Sequence, residues 1–174
     1  MATSVLARRV QRDLRDIKQD PPEFVDSVAV DPANLTRVHF KVRGLPTPYE
    51  GGAYVVLVSL PPEYPMMPPD IMMMTPSGRF KTGARICTSF TSFHRDSWSP
   101  IYNFNTIMKS FLSFMLDETE RTHVGAEPSA QRTPENCARF AAASAAYNEE
   151  KYGRLFAKNG TKLTPDAAAA GTSQ

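Results

Sequence analysis

PPEYPMMPPDIMMMTPSGRFKTGARICTSFTSFHRDSW, residues 61–98, sets how the rest of the chain is read. It opens with five prolines in nine residues: Pro61, Pro62, Pro65, Pro68 and Pro69. Proline has no N–H to donate and holds φ near one value, so this run is neither helix nor central strand but a rigid connector. A short apolar run at 71–74 follows, then a glycine-punctuated loop at 75–85. Just beyond it stands Cys87, preceded by Arg79, Lys81 and Arg85. His94 and Asp96 come next, ahead of the only tryptophan, Trp98. A thiol on irregular backbone near positive charge is expected to have a lowered pKa, and the thiolate is the nucleophilic form. Cys87 is therefore the candidate centre of function.

Upstream of the connector, residues 53–60 form an apolar run of the kind buried on both faces of a sheet. Residues 43–52, rich in Gly and Pro, read as a loop. In 36–42, Thr36, Val38, Phe40 and Val42 alternate with Arg37, His39 and Lys41, which predicts a strand with one buried face and His39 on the polar one. A further strand falls in 24–30, joined to it through the turn Asp31-Pro32-Ala33-Asn34. With 71–74 this makes four strands whose connections are too short for a crossover helix, hence an antiparallel meander. Residues 4–19 read as an amphipathic helix, with Leu6, Val10, Leu14 and Ile17 on one face, Ser4 or Thr3 as cap, and Pro21 and Pro22 as the stop. Arg8, Arg9, Arg12 and Arg15 lie off that face, as a solvated basic surface or as a docking surface for an acidic partner.

Downstream, Phe104, Ile107, Met108, Phe111, Leu112, Met115 and Leu116 recur at steps of three and four. They predict a central helix packed on the sheet, capped by Asn103 or Asn105. This Met and Phe stripe reads as core rather than as a cofactor box. Residues 117–128 form a polar loop, and 134–146 and 147–158 one or two Ala-rich helices. Residues 159–174 lack an amphipathic pattern and are expected to be a flexible tail. The chain is thus expected to hold one α+β domain at 4–158, a size that buries a real core.

Composition excludes several function classes. A net charge of +2 gives no argument for nucleic acid. Two cysteines make no disulfide framework and imply a reducing compartment. With three scattered histidines they form no metal-ligand pair, so no metal is expected. No phosphate-binding glycine loop is present, and no cofactor is expected: Gly78 and Gly83 are isolated, and Gly51-Gly52 precedes a strand. No apolar run approaches the roughly 20 residues that span a bilayer, and Arg8 and Arg9 interrupt the N-terminus where a signal core would lie. The chain is expected in the cytosol. Cys137, in an Ala-rich helix, reads as a small buried hydrophobe. A papain-like pairing of Cys87 with His94 lacks both a helix start at the cysteine and an oxyanion-hole pattern.

The order of these elements resembles the ubiquitin-conjugating (E2) fold, over about residues 4 to 157. Tyr64-Pro65-Met66-Met67-Pro68-Pro69 looks like the family's YPFxPP connector, with Met66 for phenylalanine. Arg85-Ile86-Cys87 is similar to the segment bearing the active cysteine, and Trp98-Ser99-Pro100 to the W-S-P segment. In place of the usual His-Pro-Asn stands Thr75-Pro76-Ser77, with two extra residues before Cys87. TPSGRF and RICTSFTSFHRDSW resemble the J class, tail-anchored E2 enzymes of the endoplasmic reticulum working in ER-associated degradation. Ser77 replaces that class's asparagine, and Arg95 its proline.

The resemblance implies that Cys87 accepts ubiquitin from the activating (E1) enzyme as a thioester. It then passes ubiquitin to lysine, or to a Ser or Thr hydroxyl, of protein substrates, with a RING-type E3 ligase. Ser77 takes the oxyanion-loop position. His94 and Asp96, with Asp117, Glu118 and His123, are candidates for local acid/base work; for His94 a structural loop hydrogen bond is the plainer reading. Arg8, Arg9, Arg12 and Arg15 correspond to the face that meets E1, and Met66 and Pro100 to the loops that meet the E3. Membrane attachment is expected only through an anchor outside these 174 residues, at the cytosolic face of the endoplasmic reticulum. Two alternatives remain: a non-catalytic E2-variant ubiquitin-binding module, which would lack the cysteine, and an E2 for another ubiquitin-like modifier.

Overall fold

The computed structural model describes residues 4–117, 119 and 123–163. Helix α1 (Val5–Gln19) starts where the Ser4 hydroxyl accepts the Ala7 N–H and ends before the paired prolines. It is followed by β1 (Val25–Asp31), β2 (Asn34–Arg43), β3 (Ala53–Ser59) and β4 (Asp70–Met73), each antiparallel to the next. The central helix α2 (Phe104–Leu116) is capped by Asn103, whose side chain accepts the Thr106 N–H. A single helix of 26 residues, α3 (Pro134–Asn159), takes the place of the one or two helices expected at 134–158. Its Ala-rich middle holds no breaker, and Thr133 caps it with Pro134 in the first turn, where a missing N–H does no harm.

The meander is extended by a strand that periodicity did not reveal. Gly160–Lys162 forms β5 on the free edge of β1, giving a five-stranded sheet in the order β4-β3-β2-β1-β5. Leu163 is buried against the same core. The ordered domain therefore continues past residue 158, and the expected tail of 159–174 loses its first five positions to the end of α3, the sheet and the core. Residues 164–174 lie outside the described residues.

The two faces of the sheet are covered by different helices. Phe40 points from β2 to Phe104 of α2, ring centroids 5.6 Å apart, and Val10 and Ile17 of α1 enter the same core. The opposite face of β2 was expected to be polar and open, but α3 lies over it. Lys41 Nζ sits 4.3 Å above the Phe156 ring, and His39 packs 6.0 Å from Tyr152. His39 is correspondingly buried, and burial with the nearby Arg37 charge pushes its imidazole down to about 4. A lowered histidine pKa gives stability that is full above the ordinary value of about 6.5 and is lost as pH falls through about 4. We expect this site to cost about 2 kcal/mol of stability across that window, allowing for partial solvent screening. Urea unfolding at about pH 7 and about pH 4.5 checks it: His39→Leu should flatten the difference. An undiminished pH dependence in that variant would count against it.

Buried polar groups fasten the middle of α3 to the sheet. The Ala53 N–H donates to the Ser144 hydroxyl (2.8 Å), and Asn148 Nδ2 donates to the Ala53 carbonyl (2.7 Å). Thr75, fully buried, accepts the Val55 N–H and donates to Asn148 Oδ1. These bonds satisfy the buried Ser144, Thr75 and Asn148 side chains, and they anchor the start of the loop that leads to Cys87. At the first turn of α3, Cys137 packs on Gly78 of that loop. It is buried, and burial pushes its thiol up, as suits a small hydrophobe.

Candidate active site

Three segments meet at Cys87. Its own segment is held against β4 by a hydrogen bond from the Ile86 N–H to the Ile71 carbonyl (2.9 Å). The second segment comes from the loop after α2. The Cys87 N–H donates to Val124 O (3.1 Å), Lys81 N–H to Gly125 O (2.9 Å), and Glu127 N–H to Arg79 O (2.9 Å). Gly125 sits against the Arg85 carbonyl at φ +89°, where an added Cβ would overlap the backbone. The third segment is the 3-10 stretch Ser92–Ser97. It is joined to Cys87 through a turn that Thr91 closes, its N–H and hydroxyl both donating to Thr88 O. At His94 the stretch kinks (φ −131°, ψ 64°), and the imidazole turns back to the cysteine. His94 Nε2 lies 3.0 Å from Cys87 Sγ.

This contact can pass a proton from thiol to imidazole, leaving a thiolate beside an imidazolium. Cys87 itself is half-buried, and burial pushes its thiol up from the ordinary value. The lowering expected from nearby cations is therefore not found, and Arg79 and Arg85 are engaged elsewhere. Arg79 is buried and donates to Phe114 O (3.0 Å) and Asp117 O (3.1 Å). Arg85 faces Asp70. The imidazole at 3.0 Å is what can offset the burial when it takes up the proton.

The other candidates have different places. Ser77 is buried, and its oxygen accepts the N–H groups of Arg79 (3.2 Å) and Phe80 (3.3 Å), so it steadies its own turn. Asp96 is exposed on the His94 stretch, its carboxylate making no hydrogen bond or ion pair to another described residue. Asp117 accepts from the Thr119 hydroxyl and amide, which hold its carboxyl below the usual range. His123 Nδ1 lies 2.9 Å from Val124 O, and its ring packs edge-on against Phe114. Glu118 lies outside the described residues. No group of three His, Cys, Asp or Glu side chains is gathered for a metal among the described residues, and none of their helices is long and apolar enough to cross a membrane.

The basic face of α1 divides. Arg12 is exposed, 3.9 Å from Asp16, and Arg8 is exposed too. Arg9 is not an outward docking side chain. It folds inward to Asp13 (2.7 Å) and donates to Pro100 O and Tyr102 O (both 2.6 Å). Asp13 is 1% exposed and also accepts from the Tyr64 hydroxyl (2.6 Å). Trp98 Nε1 donates to Pro65 O (2.8 Å). The connector and the 98–102 loop are thus held side by side, which leaves Met66 70% exposed, Ile101 81% exposed and Pro100 exposed between them. Sequence reasoning missed Gly125, which carries no motif. It also missed Asp13, although a carboxylate three residues after Val10 and four before Ile17 stands on the apolar face and so signals a buried partner.

A family model described as ubiquitin-conjugating enzyme matches residues 9–148. The chain is 41% identical to the ubiquitin-conjugating enzyme E2 J2 of Homo sapiens over 118 residues, 67% of this chain and 45% of that protein. It is 38% identical to the ubiquitin-conjugating enzyme E2 6 of Schizosaccharomyces pombe over 135 residues, 76% of this chain and 59% of that protein. It therefore spans about half the length of the curated relatives it matches. Among solved structures it resembles human ubiquitin-conjugating enzyme E2 G1, with a TM-score of 0.53 and 26% identity, covering 66% of this chain and 99% of that one. From the helix–meander–helix order, the cysteine loop and these matches together, the chain belongs to the ubiquitin-conjugating enzyme family, with an α+β UBC fold.

Proposed function

We propose that this protein is an active E2: Cys87 takes ubiquitin from E1 as a thioester and hands it to an acceptor nucleophile on a substrate. The observation that carries the reading is the half-buried Cys87 Sγ with His94 Nε2 at 3.0 Å. In the first step the Cys87 thiolate attacks the ubiquitin–E1 thioester carbonyl, and the E1 thiolate leaves. In the second, the acceptor attacks the Cys87 thioester and the Cys87 thiolate leaves. A thioester is already activated, so positioning and modest charge stabilisation suffice. Ser77 acts by steadying the turn before the cysteine, not by reaching the reacting carbonyl. Incubation with E1, ATP and ubiquitin tests the reading: a reductant-sensitive adduct should form and be lost in Cys87→Ala.

His94 is the base for a hydroxyl acceptor, whose proton must be removed as it attacks. A lysine amine needs that help less. His94→Ala should slow discharge of the charged protein to Ser or Thr acceptors by about a hundredfold, with a much smaller effect on lysine. Equal discharge of both acceptors would leave His94 as a loop hydrogen bond only.

The exposed Met66, Pro100 and Ile101 form the surface for a RING-type E3, with an apolar methionine able to fill a pocket. Arg8, Arg12 and Arg15 face E1. A role in ER-associated degradation, at the cytosolic face of that membrane, rests on the J-class resemblance of TPSGRF and RICTSFTSFHRDSW.

A further inference from the structure

Asp70 opens β4, and its two carboxylate oxygens reach the two arms of the cysteine loop. Oδ1 accepts from the Ser92 hydroxyl, and Oδ2 faces Arg85 Nη1 at 3.7 Å. Arg85 stands two residues before Cys87, and Ser92 two residues before His94. The arms are tied a second time, because the Arg85 guanidinium lies 5.2 Å from the centre of the Phe93 ring, next to His94. The backbone on either side of Asp70 adds a third tie: Ser92 N–H donates to Pro69 O (3.1 Å) and Ile86 N–H to Ile71 O (2.9 Å). The turn between the arms is closed locally by Thr88 and Thr91. Yet that turn leaves the ends of the seven-residue step from Cys87 to His94 to be set from outside, and the 3.0 Å contact lies at those ends.

We propose that Asp70 is a positioning residue that holds the Cys87 and His94 arms together and so maintains the thiol–imidazole contact. The proposal deepens the reading of Cys87 and His94 as the transfer site and rests on it. In the contact, the Cys87 S–H gives its proton to His94 Nε2, leaving a thiolate and an imidazolium. Asp70 touches neither atom. It acts through Ser92 and Arg85, each a short step of backbone away. A supporting residue that fixes the reacting groups' rotamers is what keeps such geometry within its productive range. Glu63, Arg85 and Arg95 line the same groove as Asp70, and none of them is replaced in the test variants.

The test needs neither E1 nor ubiquitin. Iodoacetamide alkylation of Cys87 forms an S–C bond and releases iodide, at a rate set by the thiolate fraction. It is followed by peptide mass spectrometry, which scores Cys137 separately, from about pH 6 to about pH 10. The wild type should keep reactivity near pH 6.5 above that of an unassisted thiol, and His94→Ala should lose it. Asp70→Ala should follow His94→Ala, slower by about tenfold near pH 6.5, the equivalent of one charge-assisted contact, and rejoin the wild type at the top of the range. Asp70→Glu should recover part of the loss, and Ser92→Ala should show part of it. Ser92→Ala carries the test if Asp70→Ala does not fold. Asp70→Ala and Ser92→Ala profiles that superimpose on the wild type would overturn the proposal. So would slowing by the same factor at every pH, which marks access rather than positioning, or a His94→Ala profile like the wild type. If the wild type shows the assisted profile but forms no adduct with E1, ATP and ubiquitin, the E2 reading fails while the positioning of the pair stands.

Discussion

Gly125→Ala is expected to cost about 3 kcal/mol or more, lowering Tm by roughly 6–12 °C and sharply slowing charging of Cys87. Two effects add. The backbone at φ +89° is a conformation that side chains with a Cβ rarely adopt. The added methyl would also overlap the Arg85 carbonyl and crowd Ile86 Cα at 3.1 Å. Neither neighbour can shift freely. The Val124 and Gly125 carbonyls hold the amides of Cys87 and Lys81, and moving the loop away breaks both bonds. The loss therefore falls on the segment that carries the nucleophile. Thermal unfolding and charging rate, measured on the same preparation, check it. A wild-type Tm with wild-type charging would show that the loop does not hold the cysteine.

Arg9→Ala is expected to cost about 3–5 kcal/mol, while Arg12→Ala on the same helix stays within about 0.5 kcal/mol. Removing Arg9 leaves the buried Asp13 carboxylate with only the Tyr64 hydroxyl, and leaves the Pro100 and Tyr102 carbonyls without their donor. Burial pushes the Asp13 carboxyl up, while Tyr64 and Arg9 oppose that rise. A raised carboxyl pKa gives stability that is full below the ordinary value and is lost as pH rises through the folded value. Without Arg9 the folded value goes higher still. The variant should thus be nearest the wild type in acid and fall further behind as pH rises through the carboxylate range. Urea unfolding across that range checks the sign. Replacing the cluster with Arg9→Met, Asp13→Leu and Tyr64→Phe together should recover much of the loss, since apolar groups of similar size need no partners. A charging defect in Arg9→Ala that comes with a wild-type Tm would instead return Arg9 to the E1 surface.

Much of the fold was legible because burial and period coincide in it. Val38, Phe40 and Val42 alternate and do enter the core, as do the residues from Phe104 to Met115 that keep a helical step. What could not be read depends on contacts between distant segments. Gly160–Lys162 has no apolar pattern, and its strand exists because β1 offers a free edge and Leu163 a place in the core. His39 sits on the polar side of an alternating strand, yet α3 returns to cover it. Cys87 stood out by its loop, and His94 by its spacing. Their 3.0 Å contact needs the Thr88–Thr91 turn and the kink at His94, which no composition announces. The cations around Cys87 misled for a related reason: sequence proximity said nothing of Arg79 turning to the end of α2 or of Arg85 turning to Asp70.

If Cys87 forms the covalent link to ubiquitin, exchanging its sulfur for oxygen must change the lability of that link. Wild type and Cys87→Ser are incubated with E1, ATP and ubiquitin and run on reducing and non-reducing gels. The wild type should form a reductant-sensitive adduct and Cys87→Ser an adduct that resists reductant and is cleaved by hydroxide, as an ester is. An adduct of unchanged lability in Cys87→Ser, or none in the wild type, would contradict a link through Cys87.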